Sequence, residues 1–303
     1  MAQKIVEQIE GNFKSGNVAI IGRANAGKST LINYLVGTKL SIVSRKAQTT
    51  RENILGMYQD EESQIIFVDT PGVHKAETAL SERMMQQVNG VISDVDAVLI
   101  LIDGEKGFTL HDEEIFKRYS GVVPTLVVVN KMDVADREKV MAGIAEFAGK
   151  FPDVEIFAIS ALKGKQVMPL VEKLKELLPV SEKMYEDDFL TDKSTKFLCE
   201  ERIREKILNF YHKEIPHGVF IKIREFNYKK KKNLYEIYAD IICERQTHKG
   251  ILIGKGGESL KRISTIARHD IEEFLDAKVF LTMYVVVKEG WRESDKKYAQ
   301  IID

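Results

Sequence analysis

The chain has 303 residues, of which only two are cysteine and six are proline, and it contains no long apolar segment. Cys199 and Cys243 are too few for a disulfide framework and are not spaced as metal ligands, so we expect both to be reduced core residues. No run of about 18 apolar residues is present, and Met1–Glu7 lacks the apolar core of a signal peptide. These absences predict a cytoplasmic globular protein without disulfide bonds.

The net charge of −1 conceals an uneven distribution of charge along the chain. Residues 1–192 carry 22 basic and 29 acidic side chains, whereas residues 193–303 carry 23 and 17, which gives balances of −7 and +6. An acidic first part and a basic second part predict different partners for the two. We place a first domain at 1–180, a linker at 181–192 and a second domain at 193–303, because an acidic stretch interrupts the pattern after Pro179.

The first part alternates strand-like and helix-like segments. Strands are predicted over Val18–Ile21, Ile54–Tyr58, Gln64–Val68, Ala97–Ile102, Thr125–Val129 and Val154–Ile159. Helices are predicted over Thr30–Val36, His111–Tyr119, Arg137–Ala148 and Val167–Leu178. The connection between the second and third strands is too short for a crossover helix, so these two should pair antiparallel. The pattern predicts an α/β domain with a mostly parallel six-stranded sheet that has helices on both faces.

A phosphate-binding motif follows the first strand. Residues 22–29 have the spacing G-x-x-x-x-G-K-[ST] and lie between a predicted strand and a predicted helix. In such a loop, backbone N–H groups surround the phosphates, Lys28 reaches the β- and γ-phosphates, and the Ser29 hydroxyl binds Mg²⁺. We assign to nucleotide binding Gly22, Arg23, Ala24, Asn25, Ala26, Gly27, Lys28, Ser29 and Thr30.

The segment Asn130-Lys131-Met132-Asp133 predicts which base is bound. The Asp133 carboxylate can accept two hydrogen bonds from the N1–H and N2–H₂ groups of guanine, whereas adenine would leave it unpaired. Two charge-assisted bonds favour guanine by about 3–6 kcal/mol. Asn130 should hold adjacent loops together, and the Lys131 stem should cover the base. After the last strand, a backbone N–H can reach guanine O6 from Ser160, Ala161 and Leu162.

Two further segments complete the nucleotide chemistry. In Asp69-Thr70-Pro71-Gly72, Asp69 should hold the Mg²⁺ shell through water, and the Gly72 N–H should sense the γ-phosphate. In Gln48-Thr49-Thr50-Arg51, Thr50 is our choice for the hydroxyl that closes onto Mg²⁺, and Thr49 is the alternative. Together these motifs resemble those of translation-factor-type GTPases, which implies catalytic roles for Lys28, Thr50 and Gly72.

One departure from Ras-like enzymes concerns the residues after Gly72. A glutamine that orients the attacking water is replaced here by Val73 and His74, and a valine cannot orient water. Asn25 and the 48–51 segment resemble potassium-stimulated GTPases, and this resemblance implies that Asn25 is a K⁺ ligand. The competing interpretation is that Asn25 only braces the loop. We expect His74 to be a mobile switch residue rather than a base.

The second part has a different order of elements. A helix is predicted over Thr195–Phe210, strands over Val219–Phe226 and Leu234–Ile242, a helix over Ser259–Leu275 and a last strand over Val279–Val287. The two central strands are separated by a predicted loop, Asn227–Asn233, and a glycine loop precedes the long helix. This order resembles a type II KH domain, whose G-x-x-G loop clamps a single-stranded RNA backbone. The fold class is therefore a P-loop α/β domain followed by an α+β KH domain.

The RNA-binding residues are predicted around the glycine loop. We assign to this role Ile253, Gly254, Lys255, Gly256, Gly257, Lys261 and Arg262. Arg268 and the lysines at 229–232 add basic charge. Each alone could equally be a solvated surface position, but as a set with Lys255 and the positive balance they favour contact with nucleic acid. We expect Trp291 to pack against the same domain rather than to stack on bases.

Across residues 17–291 the chain resembles the Era family of GTPases, in which a GTPase domain precedes a KH domain. The resemblance implies GTP and GDP as ligands, binding to the 3′ end of 16S ribosomal RNA, a role in assembly of the 30S subunit, and some peripheral membrane contact. We expect a monomer in which GTP orders residues 38–51 and the segment after Gly72. The competing hypothesis is an RNA-binding adaptor that uses guanine nucleotide only as a structural ligand.

Overall fold

The computed structural model describes residues 13–46, 48–74, 78–211 and 215–293. The segment Met1–Glu7, which lacks the apolar core of a signal peptide, lies outside the described residues. By contacts the chain divides into two units. The first comprises Met1–Ser41, Thr50–His74 and Met84–Asp192, and the second comprises Ile42–Thr49, Lys75–Arg83 and Lys193–Asp303. No helix within the described ranges is long and apolar enough to cross a bilayer.

Six strands form the sheet of the first unit, in the order β2-β3-β1-β4-β5-β6. The strands are β1 (Lys14–Gly22), β2 (Ile54–Gln59), β3 (Ser63–Asp69), β4 (Ala97–Asp103), β5 (Thr125–Asn130) and β6 (Glu155–Ala158). Strand β2 pairs antiparallel with β3, and the other neighbours pair parallel. The predicted mostly parallel six-stranded sheet is confirmed, including the antiparallel edge strand.

Helices connect these strands. They are α1 (Lys28–Val36), α2 (Ala79–Val91), α3 (Leu110–Tyr119), α4 (Arg137–Lys150) and α5 (Val167–Leu177), and one 3₁₀ turn follows α2 at Ile92–Asp94. Helix α2 has no counterpart in the prediction. Its buried residues Leu80, Met84 and Val88 recur at the helical spacing of four, a pattern that was available in the sequence.

The sheet buries both faces, as its branched apolar strands require. Along β1, Val18 and Ile20 belong to one apolar cluster, which includes Leu31 of α1. Ala19 and Ile21 belong to a second cluster on the opposite face, which includes residues of α3 and α4. Because successive residues of a strand point to opposite faces, the single strand β1 serves both cores. Its carboxyl end is thereby fixed where the phosphate loop begins.

The second unit contains the helices α6 (Thr195–Phe210), α7 (Gln246–Ile253) and α8 (Glu258–Leu275) and the strands β7 (Val219–Lys229), β8 (Leu234–Cys243) and β9 (Lys278–Val287). The strand order is β7-β8-β9, with β7 antiparallel and β9 parallel to β8. Along the chain, these elements follow the order that the sequence predicts for a type II KH domain. Cys199 and Cys243 are free and buried in its core, as expected.

The β7–β8 connection differs from its prediction. The expected loop over Asn227–Asn233 is wrong, because β7 continues to Lys229 and only Lys230–Lys232 form a 3₁₀ turn. Stacking of Tyr228 on Tyr235, with ring centroids 4.6 Å apart, stabilises this extension of the hairpin. Trp291 is fully buried and its Nε1 donates to the Gly218 carbonyl at 3.3 Å, so it packs against the second unit as expected.

Candidate nucleotide site and nucleic-acid interface

The phosphate loop connects β1 to α1. Gly27 at the helix N-terminus has a φ of 98°, and Asn25 also lies in the left-handed region with a φ of 67°. The Nζ of Lys28 donates to the carbonyls of Gly22 and Arg23, both at 3.1 Å, so the ammonium folds back over the loop. Burial lowers the pKa of Lys28 to about 8, and the charge of Asp69 opposes that shift. Thr30 lies in the first turn of α1.

Three oxygen-bearing side chains meet at the start of α1. The Ser29 Oγ donates to Asp69 Oδ2 at 2.8 Å and lies 3.0 Å from Thr50 Oγ1, which is 3.4 Å from the same carboxylate oxygen. Asp69 Oδ1 is buried and forms no hydrogen bond to the described residues, and burial raises the pKa of this carboxyl. Hard oxygen donors around an unsatisfied carboxylate oxygen suit Mg²⁺. The residues therefore fit the ion.

The two candidate threonines have different surroundings. Thr50 is the one that lies beside Ser29 and Asp69, whereas the Thr49 hydroxyl donates to the Lys46 carbonyl at 2.7 Å. Residues 42–49 belong to the second unit, where α6 contacts both ends of the segment. The Val43 N–H donates to Glu205 Oε1 at 3.0 Å, and the Arg204 guanidinium contacts the Thr49 carbonyl.

The residues predicted to recognise the base lie at the carboxyl ends of β5 and β6. The Asn130 side chain donates to the Ala26 carbonyl and accepts from the Ala161 N–H, both at 2.9 Å, and so ties the phosphate loop to the 160–162 turn. The Ser160 hydroxyl donates to Asp133 Oδ1 at 2.6 Å and thereby lowers the pKa of Asp133. Asp133 is exposed and ionised at neutral pH, as an acceptor for guanine must be. Leu162, the last residue of this turn, is 69 % exposed.

The 69–72 turn packs against the phosphate loop. A Cβ at Gly72 would lie 2.8 Å from the backbone N and Cα of Ala24, so only glycine fits there without a shift. The Thr70 hydroxyl donates to the Ile20 carbonyl at 2.7 Å, and Pro71 is buried beside it. His74 Nδ1 lies 2.6 Å from the Gly72 carbonyl, which can only accept. Nδ1 therefore carries the proton in the neutral ring.

The prediction missed two buried carboxylates of this site. Asp103 ends β4 beside Lys131, and Asp112 caps the first turn of α3 and pairs with Arg23 Nε at 2.9 Å. A sequence signal existed for Asp103, because it follows a buried strand whose carboxyl end lies at the ligand edge of the sheet. Asp112 had only a helix-capping signal, Thr109 three residues before it.

The glycine loop joins α7 to α8 in the second unit. Gly254 (φ 75°), Gly256 (φ 60°) and Gly257 (φ 83°) all have left-handed backbones, which glycine adopts without strain. Lys255 is exposed between them, and Ile253 is half-buried before them. Lys261 is exposed on α8, and the Arg262 guanidinium lies 5.1 Å from the Phe210 ring centroid. Arg268 pairs with Glu272 at 2.5 Å, which supports its interpretation as a surface position.

Comparisons with known proteins agree with this arrangement. A family model described as a 50S ribosome-binding GTPase matches residues 17–131, and a KH-domain model matches residues 214–292. GTPase Era of Clostridium kluyveri is 46 % identical over 285 residues, 94 % of this chain and 97 % of the relative. GTPase Era of Caldanaerobacter subterraneus subsp. tengcongensis is 41 % identical over 285 residues, 94 % and 96 % of the two chains.

Two solved structures are similar over nearly the whole chain. One is Era in complex with MgGDPNP and nucleotides 1506–1542 of 16S ribosomal RNA, with a TM-score of 0.91, 36 % identity and coverage of 95 % of this chain and 98 % of that one. The other is an Aquifex aeolicus Era variant bound to GDP·AlF4⁻, with a TM-score of 0.91, 36 % identity and coverage of 95 % and 99 %. The chain belongs to the Era family of GTPases.

Proposed function

We propose that this protein is a GTP-hydrolysing switch that binds the 3′ end of 16S ribosomal RNA through its KH domain and acts in assembly of the small ribosomal subunit. The observation that carries the proposal is the oxygen cluster of Ser29, Thr50 and Asp69, because a structural nucleotide site needs no metal-closing threonine. The RNA is inferred from the 16S complex of the solved relative, which covers 95 % of this chain.

Each nucleotide-site residue has a defined task in this proposal. Lys28 and the loop N–H groups bind the β- and γ-phosphates, and the Gly72 N–H donates to the γ-phosphate. Mg²⁺, when bound, neutralises charge on the phosphates, and Ser29, Thr50 and Asp69 are the residues that hold it. Asn130, Lys131, Asp133 and the 160–162 turn bind guanine.

The hydrolysis step lacks a glutamine that could orient water. Val73 is buried, and its N–H donates to the Gly22 carbonyl at 3.0 Å. A valine side chain has no polar atom that could orient the attacking water. We propose that K⁺ bound by Asn25 supplies the positive charge that Ras-like enzymes obtain from an arginine finger. The left-handed backbone of Asn25, within the phosphate loop, supports a specialised role for this residue.

Release of the γ-phosphate is proposed to free Thr50 from the metal and to alter RNA binding in the second unit. Residues 42–49 are bonded directly to Thr50 and group with residues 193–303, which supports this coupling. The alternative, an adaptor that binds nucleotide without hydrolysing it, predicts no turnover. We further propose that the protein is cytoplasmic and monomeric and, on the family resemblance alone, that it makes a peripheral membrane contact. Light scattering tests the oligomeric state, and vesicle flotation tests the membrane contact.

The switch is tested by the affinity of the full chain for RNA spanning the 16S 3′ end, measured with GDPNP, with GDP and with no nucleotide. We expect the RNA affinity with GDPNP to differ clearly from the RNA affinity with GDP. Equal RNA affinities in all three nucleotide states would contradict the switch mechanism, but would not contradict RNA binding or GTP turnover.

Asp133→Asn provides the matched control for that experiment. An asparagine amide can donate to the O2 of xanthine, where guanine has an amino group. The RNA response of this variant should therefore move from guanosine to xanthosine nucleotides. A response to GDPNP that survives in Asp133→Asn would show that the nucleotide acts elsewhere.

A further inference from the structure

The β7–β8 hairpin ends in a cluster of lysines that the proposed RNA groove does not include. Lys230, Lys231 and Lys232 form the exposed 3₁₀ turn, and exposed Lys278 begins β9, paired in register with Leu234 at the base of the turn. We name these four residues the lysine tip. Lys229, by contrast, pairs with Glu236. Within the described ranges none of the four tip lysines pairs with a carboxylate, so their charges are available to a partner.

Asn233 fixes the shape of the lysine tip. Its backbone is left-handed, with a φ of 43°, and its N–H donates to the Lys230 carbonyl at 3.3 Å. Its carbonyl accepts from the Lys278 N–H at 3.0 Å, and its side chain accepts from the Tyr228 hydroxyl at 3.0 Å. These bonds hold the turn against the start of β9. A braced turn loses less conformational freedom when a ligand binds than a loose loop does.

Helix α8 separates the lysine tip from the glycine loop. The helix begins directly after Gly257 and is capped at its other end by Asp276, whose carbonyl accepts from the Asn233 side chain at 3.3 Å. It has 18 residues, and at 1.5 Å per residue it spans about 27 Å. A short RNA clamped by the glycine loop therefore cannot also reach the lysine tip, whereas a longer RNA can contact both.

We propose that the lysine tip is a second RNA-contact site, which binds phosphates of the same RNA about 27 Å from the glycine loop. The proposal rests on the proposed RNA-binding function and adds a second contact to it. Four ammonium groups that pair with no carboxylate in the described ranges complement the negative charge of a phosphodiester backbone. Residues 193–303, to which they belong, carry a net charge of +6. The half-exposed ring of Tyr228, beside the turn, offers a face on which a base can stack.

The test replaces all four tip lysines with glutamine in the full chain and compares two RNAs. One has about four nucleotides, the length that a G-x-x-G loop clamps; the other is RNA 1506–1542 of the solved complex. We expect unchanged affinity for the short RNA and about a tenfold or greater loss for the long RNA. The slope of log K against log salt for the long RNA should fall by up to about 3, since each lost phosphate contact contributes about 0.7.

A matched control removes the same charge from paired lysines of the first unit: Lys117, Lys139, Lys150 and Lys173, each of which has a carboxylate within 4.0 Å. This variant should bind both RNAs as the unmodified protein does. An unchanged thermal midpoint and GDP affinity show that each variant is folded.

The failing outcomes can be told apart. No RNA binding by the unmodified protein contradicts the proposed function itself. Unchanged binding of the long RNA by the tip variant, or equal losses for both RNAs, overturns the second site. Retained RNA binding with lost binding to anionic phosphatidylserine vesicles would assign the lysine tip to a membrane surface and overturn RNA as its partner.

Discussion

The Nζ of Lys131 lies 2.7 Å from Oδ2 of Asp103, a carboxylate that is only 2 % exposed. Asp103 and Asn130 are register partners on the neighbouring strands β4 and β5, and the Gly104 N–H donates to the Asn130 carbonyl at 2.9 Å. Lys131 itself has a φ of 67°, which directs its side chain away from the strand direction. The Asp103 carboxylate therefore fixes the position of the Lys131 side chain, which we predict to cover the guanine.

Asp103→Asn should accelerate GDP dissociation by about tenfold or more, because a charge-assisted bond contributes about 1.5–3 kcal/mol. Release of a fluorescent GDP analogue measures the rate. Glu105→Gln is the matched control, since Glu105 is 61 % exposed and lies 4.0 Å from the same ammonium, a pair that contributes little. Because Asp103 acts through the base, binding of inorganic triphosphate should be the same in Asp103→Asn and the unmodified protein; a parallel loss there would contradict the positioning role.

Gly72→Ala should lower GTP turnover by about a hundredfold, the usual cost of misplacing one oxyanion donor. The added Cβ would meet the Ala24 backbone at 2.8 Å, so the Gly72 N–H must move away from the γ-phosphate. GDP lacks that phosphate, and its dissociation rate should not change. Gly90→Ala on α2 is the control, since a Cβ there meets nothing within 4 Å, and it should leave turnover unchanged. Full turnover by Gly72→Ala would show that its N–H does not sense the phosphate.

The elements and motifs that could be predicted are those with a local signal. The alternation of branched apolar runs with helices predicts the six-stranded sheet, and the spacing from Gly22 to Ser29 predicts a phosphate loop without any knowledge of the fold. Both signals lie within a few residues of chain. The antiparallel β2–β3 pair was predictable for the same reason, because the five-residue connection between the expected strands excludes a crossover helix.

The features that could not be predicted depend on contacts and distances that become defined only when the strands pair and the chain folds. Asp103 and Lys131 meet only because β4 and β5 are neighbours, and the lysine tip is separated from the glycine loop by the length of α8. The continuation of β7 to Lys229 depends on cross-strand stacking of Tyr228 on Tyr235, which overrides the polar composition of that stretch. Strand pairing brings Asp103 to Lys131 and Tyr228 to Tyr235.

Asn25→Gly should abolish the stimulation of GTP turnover by K⁺ relative to Na⁺. In the unmodified protein we expect this stimulation to be at least about tenfold, because the bound cation replaces the charge of an arginine finger. Glycine keeps the left-handed backbone that Asn25 has, so the loop itself is preserved. Turnover is measured in KCl and NaCl at equal ionic strength. If Asn25 only braces the loop, the substitution would lower turnover by the same factor in both salts.

Glu200 on α6 should make the stability of the second unit depend on pH. Its Oε1 accepts from the Ile223 N–H at 2.7 Å, and burial raises the pKa of this carboxyl to about 7 from an ordinary 4.5. The folded state holds the Glu200 proton more tightly than the unfolded state does. The resulting stabilisation of the folded state is therefore complete below pH 4.5 and is lost as the pH rises to about 7. Glu200→Gln keeps the acceptor without the charge.

The free energy of unfolding of Glu200→Gln should therefore exceed that of the unmodified protein above pH 7, by on the order of 1–3 kcal/mol, and the difference should shrink toward pH 4.5. Urea unfolding followed by the fluorescence of Trp291, the sole tryptophan, reports on the second unit at each pH. Glu225→Gln, at an exposed position of β7, should show no such trend. The difference in free energy of unfolding between Glu200→Gln and the unmodified protein could instead stay constant from pH 5 to pH 8. Glu200 would then be ionised in the folded state across that range, and burial would not raise its pKa.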